Sequence, residues 1–547
     1  MSENEQNRSK IWTPLFYSLV LVIGMILGFN LKDTLRNKRD LSTVIQRNDR
    51  LEEIIELIKQ KYVDTINTNL LYEDAVTGLL SPLDPHTVYI PADELQEVNN
   101  DLDGGFSGIG VEFSILKDTV EVTSVVENGP ASKAGITAGD KIIKVGDSLV
   151  AGTGITSDRI MSLLRGQQNS TVHVTMKLIE SGTQKNIPII RDIIPIYSVD
   201  ASIMADNKTG YIKINRFSAT TYDEFAKALT QLKKEGATQL ILDLRDNPGG
   251  YLNAATSILD DLIDKEKLLV YTKGRNSSRI DYKAGESGSF EDGKIAILVD
   301  ESSASASEII AGAIQDWDRG VIVGRRTYGK GLVQEQYEMP DGAALRLTTA
   351  KYYTPSGRSI QRSYAEGRDA YEEDFAKRYD NGELTGNDVI PPADSTPYYT
   401  AHKRIVYGGG GIKPDVYVPY DTSKWSTPLL NIAFSQEMRN VIWDYYLQNR
   451  NTFNFKNIAD FTHSFKGEGQ VIDKFVALLP PAERKTLLKQ FTTPMSQHYF
   501  EMQIKAQLAR YLFRDNGYYS VKLKDDNVVN KALDVLNTSR YNQILGK

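Results

Sequence analysis

Cysteine is absent from this 547-residue chain. Its absence excludes disulfide bonds, and it removes the usual means of inferring a redox compartment from the sequence. It also excludes a lipid-modified cysteine as a membrane anchor. Any attachment to a membrane must therefore come from the polypeptide itself.

Histidine is scarce, with only five in the chain. None of them is close in sequence to the serine-rich segment 301–314, described below. The sequence also contains no HExxH motif or comparable cluster of metal-ligand residues. We therefore expect no metal and no other cofactor. The five histidines are His86, His173, His402, His463 and His498.

The charge balance is mildly acidic, with a formal net charge of −7. This balance argues against a general nucleic-acid-binding protein. Charged residues make up 25% of the chain and apolar residues 41%, which is ordinary for a globular protein. The length is sufficient for three or more domains, each with its own core.

A serine cluster lies where a predicted strand meets a predicted helix. The apolar run Lys294–Asp300 has strand length, and apolar residues recur at helical spacing after Glu308. The first N–H groups of a helix lack intrahelical partners, so a serine there could attack a carbonyl while those groups hold the oxyanion. The alternative is structural, because Ser305-Ala-Ser-Glu308 also fits a capping box.

Lys330 is the candidate base for such a serine. It lies in the glycine-flanked turn Tyr328-Gly-Lys-Gly331, just before an apolar strand. Burial disfavours a charged lysine and lowers its pKa, so a buried amine can accept a proton. Gln334 could hold the amine in place. The alternative is a solvated lysine in a loop.

Together these residues resemble the carboxyl-terminal processing peptidases, the tail-specific serine peptidases of family S41. The interval from Ser305 to Lys330 is 25 residues and that from Lys330 to Gln334 is 4, as in that family. The resemblance also covers three further motifs, which are Leu83-Asp-Pro-His-Thr87, Leu242-Asp-Leu-Arg-Asp-Asn-Pro-Gly-Gly250 and Gly411-Ile-Lys-Pro-Asp415.

This resemblance implies a multidomain α/β protein with a crotonase/ClpP-like serine protease core over residues 198–420. It implies a catalytic set of Ser305, Lys330 and Gln334. One oxyanion donor would be the Ala306 amide, and the other would be Gly249 or Gly250. The substrates would be polypeptides with unstructured or apolar C-termini.

Residues 104–192 look like a PDZ domain. Their glycine-rich opening enters a strand, and the N–H groups of such a loop can bind a peptide's terminal carboxylate while the peptide adds as an edge strand. The loop residues predicted to bind peptide are Gly108, Ile109, Gly110 and Val111. Thr156 is predicted to cap a helix. Arg165 either pairs with an acidic group at the groove or is a solvated helix-end cation.

The N-terminus reads as a polar segment over residues 1–10 and a membrane anchor over residues 11–31. The latter 21 residues carry no formal charge and are long enough to cross a bilayer. A cleavable signal peptide is the competing interpretation, but no small-x-small site follows the apolar core.

The orientation of this anchor is ambiguous from the sequence. Two positive residues precede the span and four follow it within residues 32–39, which would keep the bulk of the chain in the cytoplasm. The family resemblance implies the opposite. We expect a single-pass protein of the bacterial inner membrane with its protease domain in the periplasm, since long domains translocate regardless of flanking charge.

The remaining segments complete the predicted organisation. Residues 40–103 are predicted to be helical, with Leu51, Ile54, Ile55 and Ile58 forming one stripe that could dimerise the chain. His86 is assigned to a structural turn. Arg245 and Asp246 are expected to pair and brace the turn that holds Gly249 and Gly250.

Two regions depart from the family pattern. The insertion 362–405 is either a lid or substrate contact, or a surface excursion. The C-terminal helical extension over residues 425–547 shows no catalytic constellation. It is therefore predicted to be structural or partner-binding, and a homo-oligomer or an adaptor protein are the possible partners.

Two other functions fit the same sequence. Related domains in a retinoid-binding protein bind apolar ligands without proteolysis, so the core could be such a module. The chain could instead be a membrane-tethered PDZ scaffold with an inert core. The joint presence of Ser305, Lys330 and Gln334 favours the protease.

Overall fold

The computed structural model describes residues 49–285, 288–386, 396–421, 427–491 and 494–547. The predicted membrane anchor, residues 11–31, lies outside them. No helix in these described ranges has both the length and the apolar character required to cross a bilayer. The chain divides into two compact units, residues 1–82 and residues 83–547.

The described part of the first unit consists of two helices in contact with each other, α1 (Asp49–Lys61) and α2 (Thr68–Leu80). The Asn67 side chain caps α2 by accepting the N–H groups of Asn69 and Leu70. These helices confirm the helical prediction for this part of residues 40–103.

The second unit begins inside the region that was predicted to be helical. After a turn, the chain forms strand β1 (Val88–Ile90) and then helix α3 (Ala92–Asp103). Strand β1 pairs with a strand of the protease core, residues 344–353. The prediction of an all-helical segment is therefore wrong over 88–90, because this three-residue strand is defined by a partner more than 250 residues away.

The predicted PDZ domain consists of antiparallel strands and two short helices. Its main sheet has the order β3-β4-β5-β7-β8, so β3 lies at an edge. The Thr156 side chain accepts the Arg159 N–H and caps α5, as predicted. The elements are β2 (Gly105–Gly108), β3 (Val111–Leu116), β4 (Thr119–Val125), α4 (Pro130–Lys133), β5 (Lys141–Val145), β6 (Ser148–Leu149), α5 (Ser157–Leu164), β7 (Thr171–Lys177), β8 (Gln184–Ile190) and β9 (Asp192–Pro195).

The protease core is built on a mixed sheet of six strands in the order β10-β11-β12-β15-β16-β21. Only the edge strand β10 runs antiparallel to its neighbour. Its elements are β10 (Val199–Met204), β11 (Thr209–Ile214), α6 (Thr221–Lys234), β12 (Gln239–Asp243), α7 (Leu252–Leu262), β15 (Lys294–Val299), α8 (Ala306–Asp316), β16 (Val321–Gly324) and β21 (Val416–Tyr417). The alternating strands and helices confirm the predicted α/β class.

A second sheet lies beside this core and carries the loop that contains Lys330. It contains β1, β13 (Leu268–Lys273), β14 (Ile280–Lys283), β17 (Leu332–Glu338) and β18 (Ala344–Tyr353). Strands β17 and β18 form a hairpin, and Asp341-Gly342, a favoured turn pair, lies between them.

The insertion contains two short helices and a two-stranded ribbon in its described residues. These elements are α9 (Arg368–Glu372), α10 (Asp374–Asp380), β19 (Tyr398–Tyr399) and β20 (Ile405–Val406). Tyr371 and Arg378 of the two helices are each only 3% exposed. The helices are therefore packed into the protein, and the prediction of a surface excursion is wrong for this part of the insertion.

The C-terminal region is helical, as predicted, but it is not a separate appendage. Its elements are α11 (Thr427–Ala433), α12 (Gln436–Asn449), α13 (Ile458–Ser464), α14 (Glu468–Leu478), α15 (Pro481–Gln490), α16 (Pro494–Lys522, kinked at Phe513 and Arg514), a 3₁₀ turn (Leu523–Asp525), α17 (Asn527–Asn537) and α18 (Arg540–Ile544). The apolar side chains of α17 and α18 pack on strands β11, β12, β15 and β16 and complete the core on that side of the main sheet.

The same helical region contacts the PDZ domain. The Trp443 indole N–H of α12 donates to the buried Glu121 carboxylate of β4 at 2.8 Å. Arg450 donates to the Ala138 carbonyl, and Arg514 donates to the Val125 carbonyl. The C-terminal helices thus touch both the PDZ domain and the sheet that carries the serine.

Candidate active site

Ser305 occupies a strained backbone position immediately before α8. The strand β15 ends at Val299, and the turn after it delivers Ser305 with φ 52° and ψ −111°. A non-glycine residue rarely adopts such angles, and holding one there costs about 1–3 kcal/mol. The surrounding structure must enforce the position, as is typical of reactive residues. Ser305 is half-buried, whereas every residue of α8 is buried.

The Glu308 carboxylate connects the serine turn to the lysine loop. It accepts the Ser305 N–H at 3.0 Å, and this is the glutamate half of the predicted capping box. The same carboxylate accepts the Thr327 hydroxyl at 2.5 Å and the Gly329 and Lys330 N–H groups at 2.7 and 2.8 Å. Glu308 is fully buried, and burial raises its pKa. The capping interpretation is therefore correct but incomplete, because Glu308 also fixes the loop of the candidate base.

Tyr352 supports the same two residues from β18. Its hydroxyl lies 2.6 Å from the Lys330 carbonyl oxygen and 3.1 Å from the Ser305 carbonyl oxygen. The ring is only 1% exposed. The backbones of Ser305 and Lys330 are thus held together by two buried side chains. Nothing in the sequence around Tyr352 signalled this contact.

Lys330 is half-buried and electrostatically disfavoured as a cation. Burial and the positive charge of Arg346 lower its pKa below the ordinary value of 10.5, while Asp84 and Glu308 act in the opposite direction. Among the described residues, no hydrogen bond joins the Lys330 ammonium nitrogen to the Ser305 hydroxyl. The structure therefore brings the two residues together through their backbones and leaves their side chains unbonded.

Gln334 does not hold the lysine amine. Its side-chain nitrogen donates to the carbonyl oxygen of His86. The hairpin register shifts between Val333 and Gln334, an irregularity that the sequence pattern does not show. Gln334 therefore anchors the His86 turn, and the hypothesis of a direct contact with Lys330 is wrong in this structure.

His86 belongs to a structural turn, as predicted, but it also reaches the site. The Asp84 carboxylate accepts the His86 and Thr87 N–H groups at 2.9 and 3.0 Å. His86 Nε2 lies 3.0 Å from the Tyr371 hydroxyl of the insertion. Burial, with the charge of Lys330, lowers the pKa of His86 to about 4. The imidazole is therefore neutral near pH 7.

The turn between β12 and α7 presents candidate oxyanion donors. The Gly249 N–H donates to the Asn247 side-chain oxygen at 2.8 Å, so it is engaged. Asn247 is fully buried and also accepts the Ala304 N–H at 3.0 Å through its own carbonyl. Among the described residues, neither the Gly250 N–H nor the Ala306 N–H has a hydrogen-bond partner. The geometry therefore favours Gly250 over Gly249 as the donor that accompanies Ala306.

Gly249 nevertheless has a steric role beside the serine. Its φ is 99°, and a Cβ atom built there would lie 2.7 Å from the Ser305 Cβ and 3.0 Å from the Ala306 nitrogen. Only glycine leaves the space in front of the Ala306 N–H open. Sequence reasoning singled out Gly249 but did not predict Asn247, which fixes the turn.

Arg245 and Asp246 do not pair with each other. Arg245 binds the buried Asp243 carboxylate at 2.5 Å and the Asp526 carboxylate at 2.9 Å. Although burial opposes it, the charges of Arg245 and Lys213 hold the pKa of Asp243 below its usual range. The Asp246 N–H instead donates to Asp300 at 3.1 Å. The predicted brace exists, but its acidic partners are Asp243 and Asp526.

A cavity of about 480 Å³ opens beside Lys330. We refer to it as the catalytic cavity. The core and the insertion both line it. The core contributes His86, Pro248, Glu301, Ser302, Ala304, Tyr328 and Lys330, and the insertion contributes Arg362, Tyr371, Glu372, Asp374, Phe375 and Arg378. The insertion therefore forms a wall of the candidate active site.

The predicted PDZ peptide site has the expected topology. Gly110 has φ 76°, and the carbonyls of Ile109 and Gly110 accept the Ala131 and Val126 N–H groups at 2.8 and 2.9 Å. These bonds fix the loop Gly108–Val111, and in the described part of the chain no strand pairs with the outer edge of β3. Arg165 lies 3.3 Å from Glu97 and 4.8 Å from the Phe106 ring.

Metal binding finds no structural support in the ranges that the structure describes. No group of three or more His, Cys, Asp or Glu side chains there is arranged to hold an ion.

Three family models match the chain. Peptidase family S41 matches residues 208–367, a PDZ domain matches residues 107–185, and a family of unknown function, DUF8443, matches residues 429–515. The first includes Ser305, Lys330 and Glu308. The third covers most of the helices between α11 and the kink of α16.

Two relatives illustrate the similarity to known proteins. The carboxy-terminal-processing protease of Bartonella bacilliformis is 35% identical over 317 residues, which cover 57% of this chain and 72% of that protein. The probable CtpA-like serine protease of Staphylococcus haemolyticus is 33% identical over 365 residues, or 66% of this chain and 72% of that protein. Among solved structures, the photosystem II D1 C-terminal processing protease is 26% identical, with a TM-score of 0.34 over 68% of this chain and 87% of that chain.

Proposed function

Since the chain belongs to peptidase family S41, together with the carboxy-terminal-processing serine proteases, we propose that Ser305 and Lys330 are its catalytic dyad. The observation that carries this assignment is the Glu308 carboxylate, which accepts the N–H groups of both residues. A module that only binds apolar ligands would need neither a serine in a strained backbone position nor a half-buried lysine with a lowered pKa.

Acylation begins with neutral Lys330 as the general base. The amine takes the proton from the Ser305 hydroxyl while the Ser305 oxygen forms a bond to the substrate carbonyl carbon. The N–H groups of Ala306 and Gly250 hold the oxyanion. When the intermediate collapses, the peptide C–N bond breaks and Lys330 returns its proton to the departing amine.

Deacylation repeats this sequence with water. Lys330 takes a proton from the water as the water oxygen forms a bond to the ester carbon. When this intermediate collapses, the bond between that carbon and the Ser305 oxygen breaks, the carboxylic acid product leaves, and Lys330 returns the proton to the Ser305 oxygen. The hydrogen bond between the two side chains forms when substrate closes the site, since catalytic hydrogen bonds are often absent before substrate binds.

The substrate is a polypeptide with an unstructured or apolar C-terminus. Its terminal carboxylate binds the loop Gly108–Val111, and its last residues add to the unpaired edge of β3. The free edge of β3 and the fixed loop carbonyls support this mode of capture.

The chain is proposed to be anchored in the bacterial inner membrane by residues 11–31, with the peptidase in the periplasm. The uncharged 21-residue stretch supports the anchor. A second copy or an adaptor protein would bind through α1, on which Ile54 and Leu57 are more than half exposed. Separation of cell membranes from soluble proteins tests the anchor, which requires the full chain to be found with the membranes. The mass of the purified full chain in detergent tests its association with a second copy.

The test of the dyad uses the full chain purified in detergent and an unfolded protein with an apolar C-terminus. We expect cleavage by the parent and none by Ser305→Ala or Lys330→Ala. Ser278→Ala is the matched control, because this exposed serine lies between β13 and β14 and does not line the catalytic cavity. Equal cleavage by all four proteins would reject the dyad. If the parent binds the C-terminal tail but neither cleaves the protein nor is labelled at Ser305 by a fluorophosphonate, the result would indicate a scaffold instead.

A further inference from the structure

A second cavity of about 440 Å³ lies on the other side of the insertion helices. We refer to it as the outer cavity. It is bounded by the insertion from Arg362 to Lys377 and by the glycine-rich segment Tyr407–Gly411. Arg362, Tyr371 and Asp374 line both this cavity and the catalytic cavity. These three side chains are therefore the partition between the two spaces.

The partition is tightly connected to the candidate active site. The Arg362 guanidinium lies 3.8 Å from the Tyr371 ring centre and 4.6 Å from that of Tyr328, and it forms an ion pair with Asp374. The Tyr371 hydroxyl in turn contacts His86 Nε2 at 3.0 Å. Any group that presses on Tyr371 from the outer cavity thus acts on a residue next to Lys330.

The chemistry of the outer cavity selects an uncharged occupant. Its buried charges are already neutralised, because Arg326 binds Glu383 through two contacts of 2.6 and 2.8 Å and Arg362 binds Asp374. The remaining wall is largely Tyr371, Tyr407, Tyr417 and glycine backbone. Its other charged residues, Glu366, Lys377 and Lys413, are exposed to solvent. The volume is in the range of sites that hold an aromatic or aliphatic group with some flanking backbone.

We infer that the outer cavity is a substrate subsite, distant from the scissile bond, for an apolar side chain of the polypeptide being cleaved. This inference rests on the proposed peptidase function. The substrate is the expected occupant because Arg362, Tyr371 and Asp374 line both cavities, so a polypeptide bound in the catalytic cavity can cross this partition and place a further side chain in the outer cavity. The insertion would then select substrates by sequence in addition to their C-termini.

The test is a phenylalanine scan in peptides of about 14 residues, otherwise composed of Ala, Ser and Gly, with amidated C-termini. Amidation removes the carboxylate that the PDZ loop would capture. We expect one position away from the cleaved bond at which Phe raises kcat/KM about tenfold, from burial of one ring. Ala370→Trp, which fills the outer cavity, should abolish that gain, so that the peptide with Phe is cleaved no faster than the peptide without it.

The matched control is Ala365→Trp, an exposed nearby residue that does not line the cavity, and it should retain the gain. The same peptides, fluorescently labelled, are also bound to the full-length Ser305→Ala protein and its Ala370→Trp double variant. This binding measurement separates the subsite from catalysis. The subsite would be overturned if no Phe position away from the cleaved bond raised either kcat/KM or the binding affinity. It would also be overturned if Ala370→Trp changed the cleavage of every peptide, with or without Phe, by the same factor. Distal-Phe binding without cleavage would support the subsite and count against the proposed reaction.

Discussion

Glu308 lies one helical turn after Ser305, and its carboxylate accepts the Ser305 N–H at 3.0 Å. Because it also accepts the Lys330 N–H at 2.8 Å, one buried acid sets the positions of both members of the proposed dyad. Four hydrogen bonds converge on this carboxylate, and they offset the cost of burying it.

Replacing this acid with an amide should damage activity more than the fold. Glu308→Gln turns one acceptor oxygen into a donor, so it cannot keep all four bonds. We expect kcat/KM to fall about a hundredfold through misplacement of the dyad, and the free energy of unfolding to fall by about 2 kcal/mol. Peptide cleavage and urea unfolding measure the two effects. Glu335→Gln, exposed on β17, should change neither, and full activity in Glu308→Gln would refute the positioning role.

Arg346 should set the pH dependence of cleavage. Activity requires neutral Lys330, so kcat/KM rises with pH through the lysine pKa. The charge of Arg346 lowers that pKa, and its removal in Arg346→Gln should move the midpoint of the profile to higher pH. Arg346→Lys keeps the charge and should keep the midpoint, as should Lys351→Gln at an exposed lysine on the same strand. A midpoint unchanged by Arg346→Gln would contradict the electrostatic account.

Gly249→Ala should block the oxyanion position. The new Cβ would lie 2.7 Å from Ser305 Cβ and 3.0 Å from the Ala306 nitrogen. We expect kcat to fall at least about a hundredfold, as when an oxyanion donor is lost. Gly236→Ala is the matched control, since φ is 100° there and no atom lies within 4 Å of the added Cβ. Both variants bear the same backbone strain, so comparable loss of activity in both would assign the effect to strain alone.

Trp443 should couple the C-terminal helices to the PDZ domain. Trp443→Phe removes the only N–H in that ring and leaves the buried Glu121 with one fewer partner. We expect about 1–3 kcal/mol of destabilisation and faster amide hydrogen exchange in β4. Trp317→Phe removes an equivalent indole bond, to the Leu268 carbonyl at 2.7 Å, within the core. Exchange in β4 that responds equally to both substitutions would show that the contact is not specific to this interface.

Local patterns predicted much of the fold. Strand β15 and helix α8 lie within a few residues of the positions that their apolar patterns predict. Each depends on periodicity or turn chemistry that neighbouring residues carry. The short strand β1 was not predicted, because it forms by pairing with β18, which is distant in sequence.

The partners of individual site residues could not be read in the same way. Gln334 binds the His86 carbonyl rather than Lys330, and Arg245 binds Asp526 across the fold. Tyr352 and Asn247 carry no local signal, since a tyrosine in a strand and an asparagine in a turn are common. Their roles follow from contacts between segments that are far apart in sequence.

By itself, the sequence determined the order of domains, the α/β class, and the identity and spacing of Ser305, Lys330 and the two turn glycines. Only the tertiary structure decided that, among the described residues, the Gly249 N–H has a hydrogen-bond partner and the Gly250 N–H has none. It also decided that the insertion lines the catalytic cavity and that α17 and α18 complete the core. The reason is physical. Backbone preference and hydrophobic periodicity act over a few residues, whereas hydrogen-bond partners and cavity walls are fixed only when distant segments are packed together.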